Sequence, residues 1–222
     1  MSQARSNGFV SCRRIWYARR ERSARQTVMA IQQQLHTVDS IQDLLRTPEY
    51  NRRRFYLIDG VMFEMSPVKR IHSRLAVRLN MFLELFLEEH DLGEAHTELG
   101  VYPPDDRSTL LAPDAAFVSH ARLRDQPEDG FLSIMPDLAV EIASPSDTRA
   151  QQRRKAEIYL DNGSSLVWIV LPSQNGVEVC RLDVGAQLDI EFVGQDGVLS
   201  GEDVLPGFEL ALTKLFPVSD EA

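Results

Sequence analysis

The sequence predicts a mixed α/β domain, a central sheet flanked by helices, on three observations. Two apolar runs, residues 138–143 and Leu166–Leu171, are separated by a polar stretch of helical character. Strand, helix, strand at this spacing makes a parallel, right-handed crossover. A segment over residues 68–90 carries Leu75, Leu79, Phe82, Leu83, Phe86 and Leu87 at helical spacing, the stripe of a long amphipathic helix packed on a sheet. Asp59-Gly60 joins residues 55–58 to residues 61–65, and Asp-Gly between apolar runs signals a tight hairpin, since both residues tolerate positive φ.

Composition bounds the class. A chain of 222 residues, 43% hydrophobic and 26% charged, suits one well-covered core rather than two. The formal charge of -9 and pI of about 5.1 argue against a protein that holds nucleic acid by bulk electrostatics, which needs clustered Lys and Arg. Cys12 and Cys180 stand alone, without paired metal-ligand spacing or a disulfide framework, which points to a reducing, cytoplasmic compartment. No apolar run reaches the roughly 18 residues of a membrane-spanning helix. Residues 1–28 differ from the rest: seven arginines against the single acid Glu21, and no apolar signal core. They read as a disordered tail or an over-extended start with Met29 as initiator, in preference to an Arg-rich organelle-targeting peptide. The body, 29–222, reads as one domain.

The elements follow in order. Thr37 is an N-cap for a short helix through Ile41, Leu44 and Leu45 that ends before Pro48. The hairpin at Asp59-Gly60 comes next, as an antiparallel lead-in to the sheet, and then the long helix over 68–90. Residues 94–102 read as a strand, 103–106 as a Pro-Pro-Asp-Asp loop, and 113–118 as another strand. The loop to Met135 is polar and exposed. After the apolar run at 138–143, Asp147 caps a helix to about Asp161, closed by Asn162-Gly163. Strands follow at Leu166–Leu171, 177–182 and 188–192, and a short terminal helix at 210–216.

Chemistry begins with the acid inside the run Leu138, Ala139, Val140, Glu141, Ile142 and Ala143. In a strand covered on both faces, Glu141 must find a cation, a proton or a donor. Two Pro-Asp pairs compete to partner it. Asp137 lies four positions earlier on the same strand, so its Cα falls about 13 Å away at 3.3 Å per residue, too far to share one ion. Asp114 comes from a different strand and sits beside Glu141 if the two strands are neighbours. Two carboxylates with the Ile142 carbonyl and water suit a hard divalent ion, Mg²⁺ first and Mn²⁺ second. Lys155 borders the sheet-facing side of the next helix, one turn before Tyr159, and its stem can reach toward Glu141. From spacing alone, a surface pair with Glu157 or Asp161 is the commoner arrangement. His72, in the first turn of the long helix, faces inward, either as a hydrogen-bonded core-edge side chain or toward the site. Arg149, Arg153, Arg154 and Lys155, with Lys69, Arg70, Arg74 and Arg78, make either a basic rim or ordinary solvated helix faces.

The ordered set Asp59-Gly60, His72, Pro113-Asp114, Val140-Glu141-Ile142-Ala143-Ser144-Pro145-Ser146, Lys155, Tyr159, Gly163 and Trp168, ending in Leu205-Pro206-Gly207-Phe208, resembles the Uma-two family of restriction-endonuclease-like proteins. The likeness spans about residues 37–216. It implies a restriction-endonuclease-like core of the PD-(D/E)xK class and Mg²⁺-dependent endonuclease activity on DNA. It assigns Asp114 and Glu141 as metal ligands and Lys155 as the group beside the attacking water, with His72 at a matching family position. One departure stands out: the usual pattern has Lys two residues after the second acid, where this chain has Ala143. Paired strand cuts need two sites, which a homodimer supplies. The alternative from a different class is a nuclease-fold protein without catalysis, acting as a nucleic-acid-binding or protein-interaction module.

Overall fold

The structure, a computed structural model, describes residues 35–216 apart from 66, 68 and 146. The basic segment 1–28, Cys12 and Ser146 lie outside the described residues. All described residues belong to one compact unit. Among them no helix is long and apolar enough to cross a membrane.

Helix α1 (Val38–Leu45) starts at Thr37, whose hydroxyl accepts from the Ser40 N–H while the Ser40 hydroxyl receives the Thr37 N–H. This reciprocal cap satisfies two donors that a helix start leaves unpaired. Strands β1 (Phe55–Ile58) and β2 (Val61–Glu64) form the expected hairpin, with Asp59 at φ 52° and Gly60 at φ 76° in its turn. The hairpin is a sheet of its own rather than a lead-in to the main one, tied by a bridge from Leu57 to Leu110. Helix α2 (Arg70–Glu89) follows.

The main sheet begins with β3 (Gly93–His96) and β4 (Ala115–Ser119). The strand expected over 94–102 stops at His96: Glu98 takes a left-handed φ of 54°, which breaks an extended ladder, and Val101 rejoins by single bridges to Leu111 and Leu132. After α3 (His120–Leu123), Leu132 and Met135 are buried, so the loop expected to be exposed is anchored by its apolar residues. Strand β5 (Leu138–Ile142) is buried at all five positions.

Helix α4 (Arg149–Asp161) is capped by Thr148, not Asp147. The Thr148 hydroxyl accepts from Gln151 N at 3.2 Å and the Gln151 side chain returns to Thr148 N at 2.9 Å. Asp147 is instead drawn to the preceding turn, where its carboxylate accepts from Ser144 N at 2.9 Å. Strands β6 (Leu166–Leu171), β7 (Gly176–Leu182) and β8 (Leu188–Val193) complete the sheet. A small hairpin of β9 (Val198–Ser200) and β10 (Glu209–Ala211) then leads to α5 (Leu212–Leu215), so residues 210–211, expected as helix, are strand.

The six-stranded sheet has the order β3-β4-β5-β6-β7-β8, with β5 and β6 parallel and the other pairs antiparallel. Alternation along β5 divides its side chains between two cores. Val140 and Ile142 join Leu75, Leu79 and Leu83 of α2 and Trp168. Ala139 joins Ala156 and Tyr159 of α4 with Val167 and Ile169. Glu141 alternates to this α4 side. The sheet with helices on both faces places a buried carboxylate directly beneath α4.

Candidate active site

Register decides which acids meet. Ala115 pairs with Val140 in the antiparallel β4–β5 ladder, and one step further the same register sets Asp114 opposite Glu141, on one face. Both side chains are buried, and both line a cleft of about 240 Å³ with His72, Ile142, Ala143 and Lys155. Asp137 serves elsewhere: its carboxylate accepts from Ser119 N at 2.8 Å and pairs with Arg122 at 2.8 Å, locking α3 to the sheet.

The partner that buried Glu141 requires is Lys155. Its ammonium donates to Glu141 Oε2 at 2.8 Å, and the Tyr159 hydroxyl donates to Oε1 at 2.9 Å. Lys155 and Tyr159 are four residues apart on α4, hence on one face, and the capped first turn fixes that face toward β5. The surface pairing with Glu157 goes instead to Arg154. Lys155 Nζ also lies 4.8 Å from the centre of the Tyr56 ring of β1, a cation–π contact. The Tyr56 ring stacks on Phe63 at 4.8 Å.

Electrostatics follow from this packing. Burial pushes the Glu141 carboxyl up, with the Lys155 ammonium working against it and Asp114 adding to it. Burial pulls the Lys155 ammonium down, but the Glu141 carboxylate outweighs it and the net direction is up. Lys155 is therefore a fixed cation and donor near neutral pH. Burial raises the Tyr159 hydroxyl well above its ordinary value, and Glu141 adds to this, so it remains a donor.

Asp114 is held by the Ile142 backbone N–H at 2.7 Å and by His72 Nε2 at 3.1 Å. The hydrogen bond to Asp114 raises the His72 imidazole's pKa, with burial opposing it. His72 Nδ1 is buried without a hydrogen-bond partner among the described residues. His72 thus faces the cleft, one of the two placements its position allowed.

The donor set is small. Among the described residues no group of three or more His, Cys, Asp or Glu side chains is gathered to hold a metal ion. What converges is a pair of carboxylates at facing register positions, beside the Ile142 backbone. That set fits Mg²⁺ in kind, because this ion takes oxygen ligands, keeps waters, and needs only one or two carboxylates. Asp114 Oδ2 takes both the Ile142 N–H and His72 Nε2, which leaves Oδ1 without a donor among the described residues, while each Glu141 oxygen keeps a second lone pair beyond the one donor it accepts.

The sequence model of the Uma2 family, described as "Putative restriction endonuclease", matches residues 41–213. The chain belongs to the Uma2 family. A solved structure from Anabaena variabilis ATCC 29413, described as a "putative nuclease belonging to DUF820", is similar to it with a TM-score of 0.67 and 19% identity, covering 81% of this chain and 97% of that one. At this identity the likeness shows the fold: a restriction-endonuclease-like core of mixed sheet and flanking helices. No curated protein matches the chain.

Two site contacts were missed from the Uma2 sequence. Tyr159 was placed on the sheet-facing side without a role, although its position one turn after Lys155 already aimed it at the same acid. Tyr56 gave no signal, because where the hairpin docks relative to the cleft is set by tertiary packing. The basic residues divide: Arg149 and Arg153 pair with Glu178, and Arg154 pairs with Glu157. Lys69, which lines the cleft, Arg70 and Arg74 make no ion pair among the described residues.

Proposed function

We propose that this Uma2 protein is a metal-dependent endonuclease that hydrolyses phosphodiester bonds in DNA, with residues 29–222 as its single domain. Asp114, Glu141 and the Ile142 carbonyl would hold Mg²⁺ or Mn²⁺. The observation that carries the reading is Lys155, delivered from α4 to within 2.8 Å of Glu141 in an open cleft. It brings an ammonium to the second acid although Ala143 occupies the usual lysine position.

A divalent ion in such a site polarises a phosphoryl oxygen and makes bound water more acidic. The chain's own residues do the rest. Lys155, kept protonated by Glu141, donates to a phosphate oxygen or orients the attacking water. Tyr159 fixes the Glu141 carboxylate, and His72 with the Ile142 N–H fixes Asp114, so both acids are held in place before substrate arrives. Lys69 offers the cleft mouth a cation for the phosphate backbone.

The test is cleavage of plasmid DNA with Mg²⁺ or Mn²⁺ by wild type and Glu141→Gln, with circular dichroism confirming that the variant folds. Cleavage by wild type and its loss in the variant are expected. Equal activity in the two contradicts the reading, and cleavage by neither favours the binding-module alternative.

A further inference from the structure

Helix α2 is apolar on two opposite faces. Leu75, Leu79, Leu83 and Leu87 are buried against the sheet. On the other side Val77, Met81 and Leu85 are 68%, 45% and 51% exposed. Three large apolar residues at successive turns of one solvent face are not required by the core, and a contiguous exposed stripe of this kind marks an interface.

The ends of the stripe say what covers it. Arg74 lies three residues before Val77, and Glu88 lies three residues after Leu85. The face therefore reads Arg74, Val77, Met81, Leu85, Glu88, with spacings of three, four, four and three that are symmetric about Met81. At 3.6 residues per turn all five lie on one side of the helix. Arg74 and Glu88 are exposed and make no ion pair among the described residues. A surface that is basic at one end, acidic at the other and apolar between is complementary to itself when reversed.

We infer that this face of α2 is a homodimer interface, in which a second copy of the chain packs its own α2 antiparallel across a two-fold axis at Met81. In that arrangement Met81 meets Met81 of the second copy, and Val77 packs beside Leu85 of the second copy. Arg74 meets Glu88 of the second copy, and the two off-axis contacts each occur twice, as an isologous interface requires. Hydrophobic burial supplies the attraction, while the charges set the antiparallel direction and disfavour the parallel one. Because His72 stands nine residues before Met81, the two clefts would lie about 27 Å apart along the helix axes. The inference does not depend on the nuclease reading.

Sedimentation velocity on the full chain tests it, with thermal melts to confirm that each variant folds. Wild type should sediment as a dimer at tens of micromolar. Arg74→Glu and Glu88→Arg singly, and Met81→Glu, should each weaken the dimer by about tenfold or more: the first two each put like charges together twice, and Met81→Glu sets two carboxylates against each other on the two-fold axis. Arg74→Glu combined with Glu88→Arg should restore it, because the exchanged charges again face opposite partners. A wild type that is monomeric at every concentration, whatever else covers the face, overturns the inference. So does a dimer that none of the single variants weakens, or single variants that the exchange fails to rescue.

Discussion

The Lys155 ammonium and the Glu141 carboxylate, fourteen residues apart in sequence, meet at 2.8 Å, one from α4 and one from the end of β5. Neither side chain is freely exposed, at 21% and 11%. The pair is both a structural tie and the proposed chemical centre, so the two roles must be separated by choice of substitution. Lys155→Met leaves a buried carboxylate without its cation and should cost about 2–4 kcal/mol of stability. Glu141→Gln should cost less, because an amide still accepts from Lys155 through oxygen. Urea unfolding of the two variants measures the difference.

If Lys155 takes the place of the lysine that Ala143 omits, the cation should be movable. Ala143 lines the same cleft and lies two residues after Glu141, so it points to the same face of β5. In the Lys155→Met background, Ala143→Lys should recover at least about tenfold of a cleavage rate lowered by roughly a hundredfold or more. Plasmid-cleavage rates of the single and double variants read this directly.

Tyr159→Phe removes one hydroxyl and its 2.9 Å bond to Glu141 while leaving the ring in the core. A hydrogen bond to a charged group is worth about 1.5–3 kcal/mol, and chemical denaturation should show a loss in that range. Cleavage should fall far less than in Lys155→Met, because Tyr159 positions the acid rather than the substrate.

A second buried acid gives the fold its acid limit. Glu178 on β7 is paired with Arg149 and Arg153 of α4, Arg153 at 2.6 Å. Burial raises its carboxyl, but the hydrogen bonds and charges of the two arginines outweigh this and hold it below the ordinary 4.5. A depressed carboxylate stabilises the fold above its unfolded pKa, and that contribution is lost as pH falls through the depressed value. Wild type should therefore exceed Glu178→Gln by about 1–2 kcal/mol at pH 7, with the gap closing below about pH 4.5. Denaturant midpoints of both proteins across pH 3–7 check the sign.

Glu178 also shows what could be read in advance and what could not. It sits in the alternating stretch Val177-Glu178-Val179-Cys180-Arg181-Leu182, where an acid is the ordinary outward residue of a half-buried strand, so its burial against α4 was not legible. The buried strands, the crossover helix, α2 and the Asp59-Gly60 hairpin were legible because hydrophobic period and turn chemistry are local. The choice of Thr148 over Asp147 as cap was not, since both residues cap well and the Ser144 N–H decided between them. Nor were β9 and β10, three residues each, too short for a period to show. At the site, the neighbourhood of Asp114 and Glu141 followed once β4 and β5 were adjacent. The approach of Lys155 was one of two options that spacing left open, and the helix phase set by its cap chose between them.

In the proposed centre, Asp114 and Glu141 form a divalent-ion site served by Lys155. Isothermal titration of Mg²⁺ and Mn²⁺ into wild type and into folded Asp114→Ala addresses it most directly. Saturable binding by wild type, weakened at least about tenfold in the variant, is the result this account predicts. Equal binding by the two proteins, or none by wild type, would contradict it.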